Sequence, residues 1–165
     1  MSLHVPPYPP PRYDGDGEIS ATLRKADTPA DFEVGPIKYS YLATEKSTGG
    51  DFGLYRWNFA ANRSGPDPHF HRTMSESFFV LSGTVSLYDG AAWRDAGPGD
   101  FMYVPPGGIH GFRNESGAAA SMLLLFAPGA PREEYFETLA VPGWRDRMTP
   151  QEQVEFYLRH DNHWL

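Results

Sequence analysis

The sequence predicts an all-β fold, a barrel of short antiparallel strands with an extended arm in front and two short helices behind. Three observations carry this. The 165 residues include 17 glycines and 16 prolines, a content that suits many short strands joined by tight turns and not a helical bundle. Short apolar segments alternate in character every second residue and are punctuated by Gly, Pro, Asn and Asp, the pattern of half-buried strands. Finally, His69-Phe70-His71, Glu76 and His110 recur at spacings that strands and turns, not helices, would bring together. The divisions expected are 1–36 for the arm and leading strands, 37–127 for the barrel and 128–165 for a C-terminal helical extension. No internal repeat is visible, so one barrel is expected.

The first dozen residues hold five prolines, which favours an extended polyproline-like arm lying over its own barrel or a neighbouring subunit. Asp14-Gly15-Asp16-Gly17 marks a loop. Residues 37–42 alternate and read as a strand, and Thr48-Gly49-Gly50-Asp51 turns the chain into the next, 54–59. There Tyr55, Trp57 and Phe59 share a face that lines either a pocket or an interface. In a strand His69 and His71 share a face while Phe70 points away. The polar run Arg72-Thr73-Met74-Ser75 then reads as a turn, so that 75–81 returns beside the first strand as a hairpin with Glu76, Phe78 and Val80 facing the interior. Residues 85–88 end in the hairpin turn Asp89-Gly90. After Gly99-Asp100, the strand 101–104 meets Pro105-Pro106-Gly107-Gly108 and a further strand begins at His110. Residues 121–126 are an apolar strand closed by Ala127-Pro128-Gly129-Ala130.

Beyond Pro131 the period becomes helical. Pro131-Arg132-Glu133-Glu134 places proline early and acids in the first turn, where the helix dipole favours them. Thr149-Pro150-Gln151-Glu152 carries a T-x-x-E capping box, followed by an apolar stripe of Val154, Tyr157 and Leu158. His160, Asp161 and His163 read as a polar C-terminal tail.

His69, His71, His110 and Glu76 supply three neutral imidazoles and one carboxylate, a coordination sphere for a divalent transition metal. Burying that carboxylate among imidazoles without a cation would leave costly unpaired polar groups. Such a centre keeps about +1 formal charge and one or two open positions, which suits an anionic oxygen donor such as an enolate or phenolate. Phe78, Tyr103 and Phe112 stand near the ligands in sequence, and Met122, Leu124 and Phe126 complete a candidate apolar wall, so a planar aromatic or enolisable substrate is expected.

These residues resemble the cupin superfamily. The first cupin motif, G-x5-H-x-H-x3,4-E-x6-G, is matched by His69, His71, Glu76 and Gly83, although its leading glycine falls on Arg63 with Gly65 two residues later. The second, G-x5-P-x-G-x2-H-x3-N, is matched by Gly99, Pro105, Gly107, His110 and Asn114. The resemblance implies a double-stranded β-helix, or jelly roll. The runs 75–83 and 107–114 look most like small single-domain quercetin 2,3-dioxygenase-like cupins. That likeness implies nickel, manganese, cobalt, iron or copper on the three histidines and Glu76. It also implies Glu76 as the catalytic base that takes the flavonol 3-hydroxyl proton before dioxygen opens the heterocycle with release of carbon monoxide. A redox-neutral isomerase, polyketide cyclase or decarboxylase, or a non-catalytic small-molecule binder, are the alternatives, since one barrel serves many reactions.

Other classes are argued against by composition. A net charge of −7, with no basic run longer than Arg24-Lys25, lacks the footprint nucleic acid needs. The absence of cysteine removes disulfides, thiol nucleophiles and Cys-bound zinc. No apolar run suggests a signal peptide or membrane span. A cytoplasmic homodimer using the arm between subunits is the expected state.

Overall fold

The computed structural model describes residues 8–165. The opening residues of the arm lie outside that range, and from Tyr8 to residue 31 the chain forms neither helix nor strand. An ion pair of Arg12 Nη1 with Asp51 Oδ2 at 2.7 Å fastens it to the barrel, and Asp31, paired with Arg24 Nη2 at 2.8 Å within the same stretch, accepts from the Tyr41 amide at 2.8 Å.

Alternation of apolar residues builds a six-stranded antiparallel sheet whose concave face is the core. Its strands are β1 (Phe32–Val34), β2 (Ile37–Ala43), β3 (Gly53–Phe59), β5 (Ser75–Ser82), β8 (Phe101–Val104) and β10 (Ala120–Ala127), ordered β1-β2-β3-β10-β5-β8. Register sets the core in rows. Tyr55, Leu124, Phe78 and Met102 lie opposite one another across four strands, and the next row runs Gly53, Phe126, Glu76 and Val104. Glu76 therefore enters the interior flanked by apolar neighbours and backed by a paired backbone. Leu124 and Val80 are fully buried, each contributing about 1.5–3 kcal/mol of hydrophobic stabilisation.

The opposing sheet is smaller, with β6 (Val85–Tyr88) between β7 (Trp93–Ala96) and β9 (Gly111–Arg113). It is extended by a bridge between His69 and His110 to β4 (His69–Phe70), which pairs with β11 (His163–Trp164). Two facing antiparallel sheets with this order form the expected jelly roll. Gly65 makes the close crossing possible. It has φ +135°, and a Cβ there would stand 2.0 Å from the Phe112 carbonyl oxygen, so the glycine displaced from the motif's leading position does essential steric work two residues later.

Three expectations are corrected. First, β4 and β5 do not form a hairpin, because β5 pairs with β10 and β8 while β4 pairs with β11. The Arg72–Ser75 stretch carries the chain from one sheet to the other. Second, Val154 and Leu158 face solvent, 56% and 51% exposed. The buried face of the capped helix, Pro150–Arg159, is Phe156 with His160, one turn apart, because Phe156 stacks on Tyr135 and packs against the tilted Trp144 ring. Third, the tail is not a free polar terminus: Asn162 is buried and residues 163–164 are the strand β11.

The helices are then α1 (Glu45–Thr48), a single capped turn closed by left-handed Gly49 where a bare turn was expected, α2 (Glu133–Ala140) and α3 (Pro150–Arg159). A 3₁₀ turn, Trp144–Arg147, joins the last two. The T-x-x-E box forms, with Thr149 Oγ1 accepting from the Glu152 amide and Glu152 accepting from the Thr149 amide. Among the described residues no helix is long and apolar enough to cross a membrane.

Candidate metal centre and the cavity above it

His69 and His110 meet across their backbone bridge, and His71 is drawn in because its carbonyl accepts from the Gly107 amide of the Pro-Pro-Gly-Gly turn at 2.6 Å. Glu76 arrives from the other sheet. All four side chains are buried, and one ligand atom from each lies within 4.8 Å of every other. Asn114, the last residue of the second motif, is also buried. It holds the neighbouring loop by donating to the carbonyls of Ala60 and Ala118 at 2.8 and 2.7 Å, a structural role.

The hydrogen bonds decide the chemistry of this cluster. His69 Nδ1 faces the Asp67 carbonyl at 2.9 Å, His71 Nδ1 that of Asp161 at 2.6 Å and His110 Nδ1 that of Gly108 at 2.9 Å. A carbonyl can only accept, so each Nδ1 carries a proton, and a ring in its neutral form turns a lone pair outward from Nε2. The Nε2 atoms of His71 and His110 face Glu76 Oε2 at 3.0 and 2.9 Å. Lone pair against carboxylate is repulsive unless a proton or a metal ion lies between them. Burial, with His110 next, pushes the His69 pKa down to about 3, so that ring stays neutral at ordinary pH. Burial disfavours ionised Glu76, but a proton that His110 or His71 presents from Nε2 favours the carboxylate more strongly and holds the carboxyl below its usual range. In His110 burial is again opposed, and Glu76 raises its pKa overall. One proton could relieve one contact at a time. A single divalent ion would satisfy all four donors, so the residues fit a transition metal, and the three carbonyls are the outer partners that would orient its ligands.

Above the cluster lies a cavity of about 640 Å³, reached by both His69 and Glu76. Its wall is mostly apolar and aromatic, including Trp57, Phe112, Leu124, Phe136 and Trp144. Two of the six expected wall residues, Phe112 and Leu124, line it. Phe78, Met122 and Phe126 do not: they are buried in the core behind the ligands, with Phe78 centred 5.8 Å from the His110 ring and Phe126 6.2 Å from His71. Tyr103 is corrected outright. Alternation along β8 turns Met102 and Val104 inward and leaves Tyr103 on the outer face, 58% exposed. The open question about Tyr55, Trp57 and Phe59 resolves inward, since all three join the core cluster and Trp57 reaches the cavity.

The sequence reading missed the contribution of the C-terminal extension. Trp164 packs 5.1 Å from the His69 ring, and Arg132, fully buried, joins the cavity wall. Asp161 accepts from the Arg72 and Thr73 amides and the Thr73 hydroxyl while its carbonyl holds His71. Its left-handed backbone, φ +54°, turns the chain into β11. The cluster His160, Asp161, His163 was visible in sequence, but its partners lie about ninety residues away.

Comparison with known proteins agrees with this geometry. Residues 55–126 match the cupin domain family model. Quercetin 2,3-dioxygenase of Bacillus subtilis (strain 168) is 28% identical over 114 residues, 66% of this chain and 32% of that protein. An uncharacterized protein of Aquifex aeolicus (strain VF5) is 33% identical over 61 residues, 37% of this chain and 50% of the other. The chain thus spans from a third to half of the length of these relatives. Among solved structures, an RmlC-like cupin from Shewanella frigidimarina NCIMB 400 superposes with a TM-score of 0.56 at 19% identity, covering 70% of this chain and 96% of the other. The polyketide cyclase RemF from Streptomyces resistomycificus gives 0.53 at 19% identity, covering 77% and 97%. These structural likenesses establish the jelly roll alone. With both histidine motifs converging in that fold, the chain belongs to the cupin superfamily.

Proposed function

We propose that this cupin is a metal-dependent dioxygenase acting on a flavonol-like or other enolisable small molecule. The observation that carries the reading is the set of three imidazole lone pairs and one carboxylate gathered at the floor of an aromatic-walled cavity. A first-row divalent ion, nickel, manganese, cobalt, iron or copper, would be held by His69, His71, His110 and Glu76, and would supply Lewis acidity and a route for electron transfer to dioxygen. The chain's own residues do the rest. Trp57, Phe112 and Leu124 hold a planar substrate against the floor and exclude water, while ionised Glu76 accepts the proton of the enol or phenol hydroxyl. The partial relation to a quercetin dioxygenase supports the oxidative version of this chemistry.

In this reading the protein works in the cytoplasm as a homodimer. Support comes from the outer face at the sheet edge, where Phe79, Phe101 and Tyr103 are exposed on β5 and β8, and from the exposed Ile19 and Leu23 of the arm. A light-scattering mass of one 18.4 kDa chain would end the dimer proposal.

The activity test is turnover of quercetin by protein reconstituted with each of the five metals, following flavonol absorbance and dissolved oxygen together, with E76Q as control. Coupled loss that disappears in E76Q is expected. Bound metal without oxygen uptake from any flavonol or simple diketone would replace this reading with a redox-neutral reaction at the same centre.

A further inference from the structure

We propose that the ligand of this cavity is an enolisable or phenolic acid, whose carboxylate pairs with Arg132 while its enol or phenol oxygen is directed to the His69, His71, Glu76 and His110 cluster. The proposal rests on the metal-centre reading and adds the second anchoring point. Arg132 is a permanent cation, 3% exposed, standing in the wall of the same cavity. Among the described residues no carboxylate forms an ion pair with it. Two of its five N–H groups are committed to the C-terminal tail: Nη1 donates to the His160 carbonyl at 2.6 Å and Nη2 to Asn162 Oδ1 at 3.4 Å. Its Nε has no partner. The aromatic rings of Tyr135 and Phe126, 4.2 and 5.1 Å from the guanidinium carbon, cushion the charge without neutralising it.

A purely structural clamp would explain the two bonds to the tail but not the choice of a cation. Neutral donors could hold one carbonyl and one amide oxygen, whereas a buried charge costs several kcal/mol unless a counter-charge meets it. The nearby acids are already engaged, Glu76 with His71 and His110 and Asp161 with the Arg72 and Thr73 amides. Two further buried donors in the same wall, Trp164 Nε1 and the Ser64 hydroxyl, also lack partners, and Arg145 adds a second cation to the wall. The exposed Asp67 of the wall offsets the exposed Arg145, but the buried groups that lack partners, Arg132 Nε, Trp164 Nε1 and the Ser64 hydroxyl, are all donors, the complement of an oxygen-rich anion. Once a divalent ion is held by Glu76, the ion, the carboxylate and Arg132 leave about two positive charges, which a bound carboxylate-enolate would balance and a singly charged flavonolate would not.

The test is titration of metal-free protein with benzoate and with its neutral isostere benzamide, followed through the fluorescence of Trp57, Trp144 and Trp164 in the cavity wall, and repeated on R132M and R132K. Wild-type protein is expected to bind benzoate at least tenfold tighter than benzamide. That preference should vanish in R132M and survive in part in R132K. Equal binding of the two probes by wild-type protein overturns the assignment without recourse to any variant, so a poorly folded R132M cannot shelter it. An undiminished preference in folded R132M overturns it as well. Nickel loading should then tighten 2-hydroxybenzoate over benzoate. If it does not, the metal-centre reading and the oxygen anchor fail, while the benzoate preference would still locate the carboxylate at Arg132.

Discussion

Asp161 is the point at which the C-terminal tail is locked to the ligand loop, and its removal gives a graded test of the structure. Its carboxylate receives the Arg72 amide at 3.0 Å, the Thr73 amide at 2.8 Å and the Thr73 hydroxyl at 2.7 Å. At this partly solvated position each of the three is worth about 1 kcal/mol, below the usual range for bonds to a charged group. The backbone at φ +54° adds about 1 kcal/mol of strain for a side chain that, unlike Asn or Gly, does not tolerate the left-handed region. D161A should therefore lose about 4 kcal/mol, D161G about 3 and D161N, which retains one acceptor and tolerates the conformation, about 1 to 2. For a chain of this size that places the D161A melting temperature roughly 8–16 °C below wild type. Because the Asp161 carbonyl also orients His71, loosening the turn should weaken metal binding about 10- to 100-fold in D161A. Thermal melts of the metal-free variants by circular dichroism, with a parallel nickel titration, give both readings. A D161A variant that melts within about 2 °C of wild type would refute the view that the tail is clamped here, as would the order Ala above Gly.

Other consequences follow from the same geometry. H110A removes one ligand and leaves Glu76 with a single imidazole contact. Elemental analysis after equal metal exposure should fall from about one ion per chain to well under half, in line with the four-donor requirement. Metal-free protein should lose stability on acidification. His69, pushed from 6.5 to about 3 when folded, binds its proton more readily in the unfolded chain. Its contribution is thus complete above about pH 6.5 and declines by up to about 1.4 kcal/mol per pH unit below it. His110, raised by Glu76, works in the opposite sense, adding stability at low pH that fades as pH rises through its folded value. Urea midpoints at pH 7.5 and 5.5 measure the balance, and a midpoint higher at pH 5.5 would mean that His110 dominates. L124A takes a fully buried side chain from the join between cavity wall and core row, and should cost about 2–5 kcal/mol by chemical denaturation.

What the sequence reveals here depends on distance along the chain. His69 and His71 share a face because strand geometry requires it, and Glu76, Phe78 and Val80 point inward for the same reason. These were legible from period alone. The pairing of β5 was not, because an eight-residue strand flanked by turns need not lie against either neighbour in sequence, and here it takes β10 and β8. Tyr103 illustrates a second limit. An aromatic residue near a ligand in sequence can face either side of its strand, and only the inward placement of Met102 and Val104 decides it. The stripe on α3 fails differently: Val154, Tyr157 and Leu158 and the alternative Gln153, Phe156, Tyr157 and His160 both satisfy helical spacing. Stacking of Phe156 on Tyr135 and its tilted contact with Trp144 select the second.

The division of labour in the molecule follows from those distances. The barrel supplies the four candidate metal ligands, His69, His71, Glu76 and His110, within a stretch of about forty residues, where strand and turn geometry suffice to assemble them. Part of the cavity wall, Arg132, Trp144, Arg145, Tyr157 and Trp164, belongs to the extension. They reach the cavity only because α2 and α3 fold back and the tail threads in as β11 beside β4. A change in the extension can alter charge and shape above the centre without moving its ligands, whereas Asp161 ties the two parts so that the roof is registered on the floor. Membership of the cupin superfamily therefore accounts for the floor of this site, and the carboxylate preference proposed for Arg132 draws on the chain beyond residue 128. Exchanging R132K or R145Q should shift ligand preference while leaving metal stoichiometry intact, and a parallel loss of both would show that the extension is part of the metal site itself.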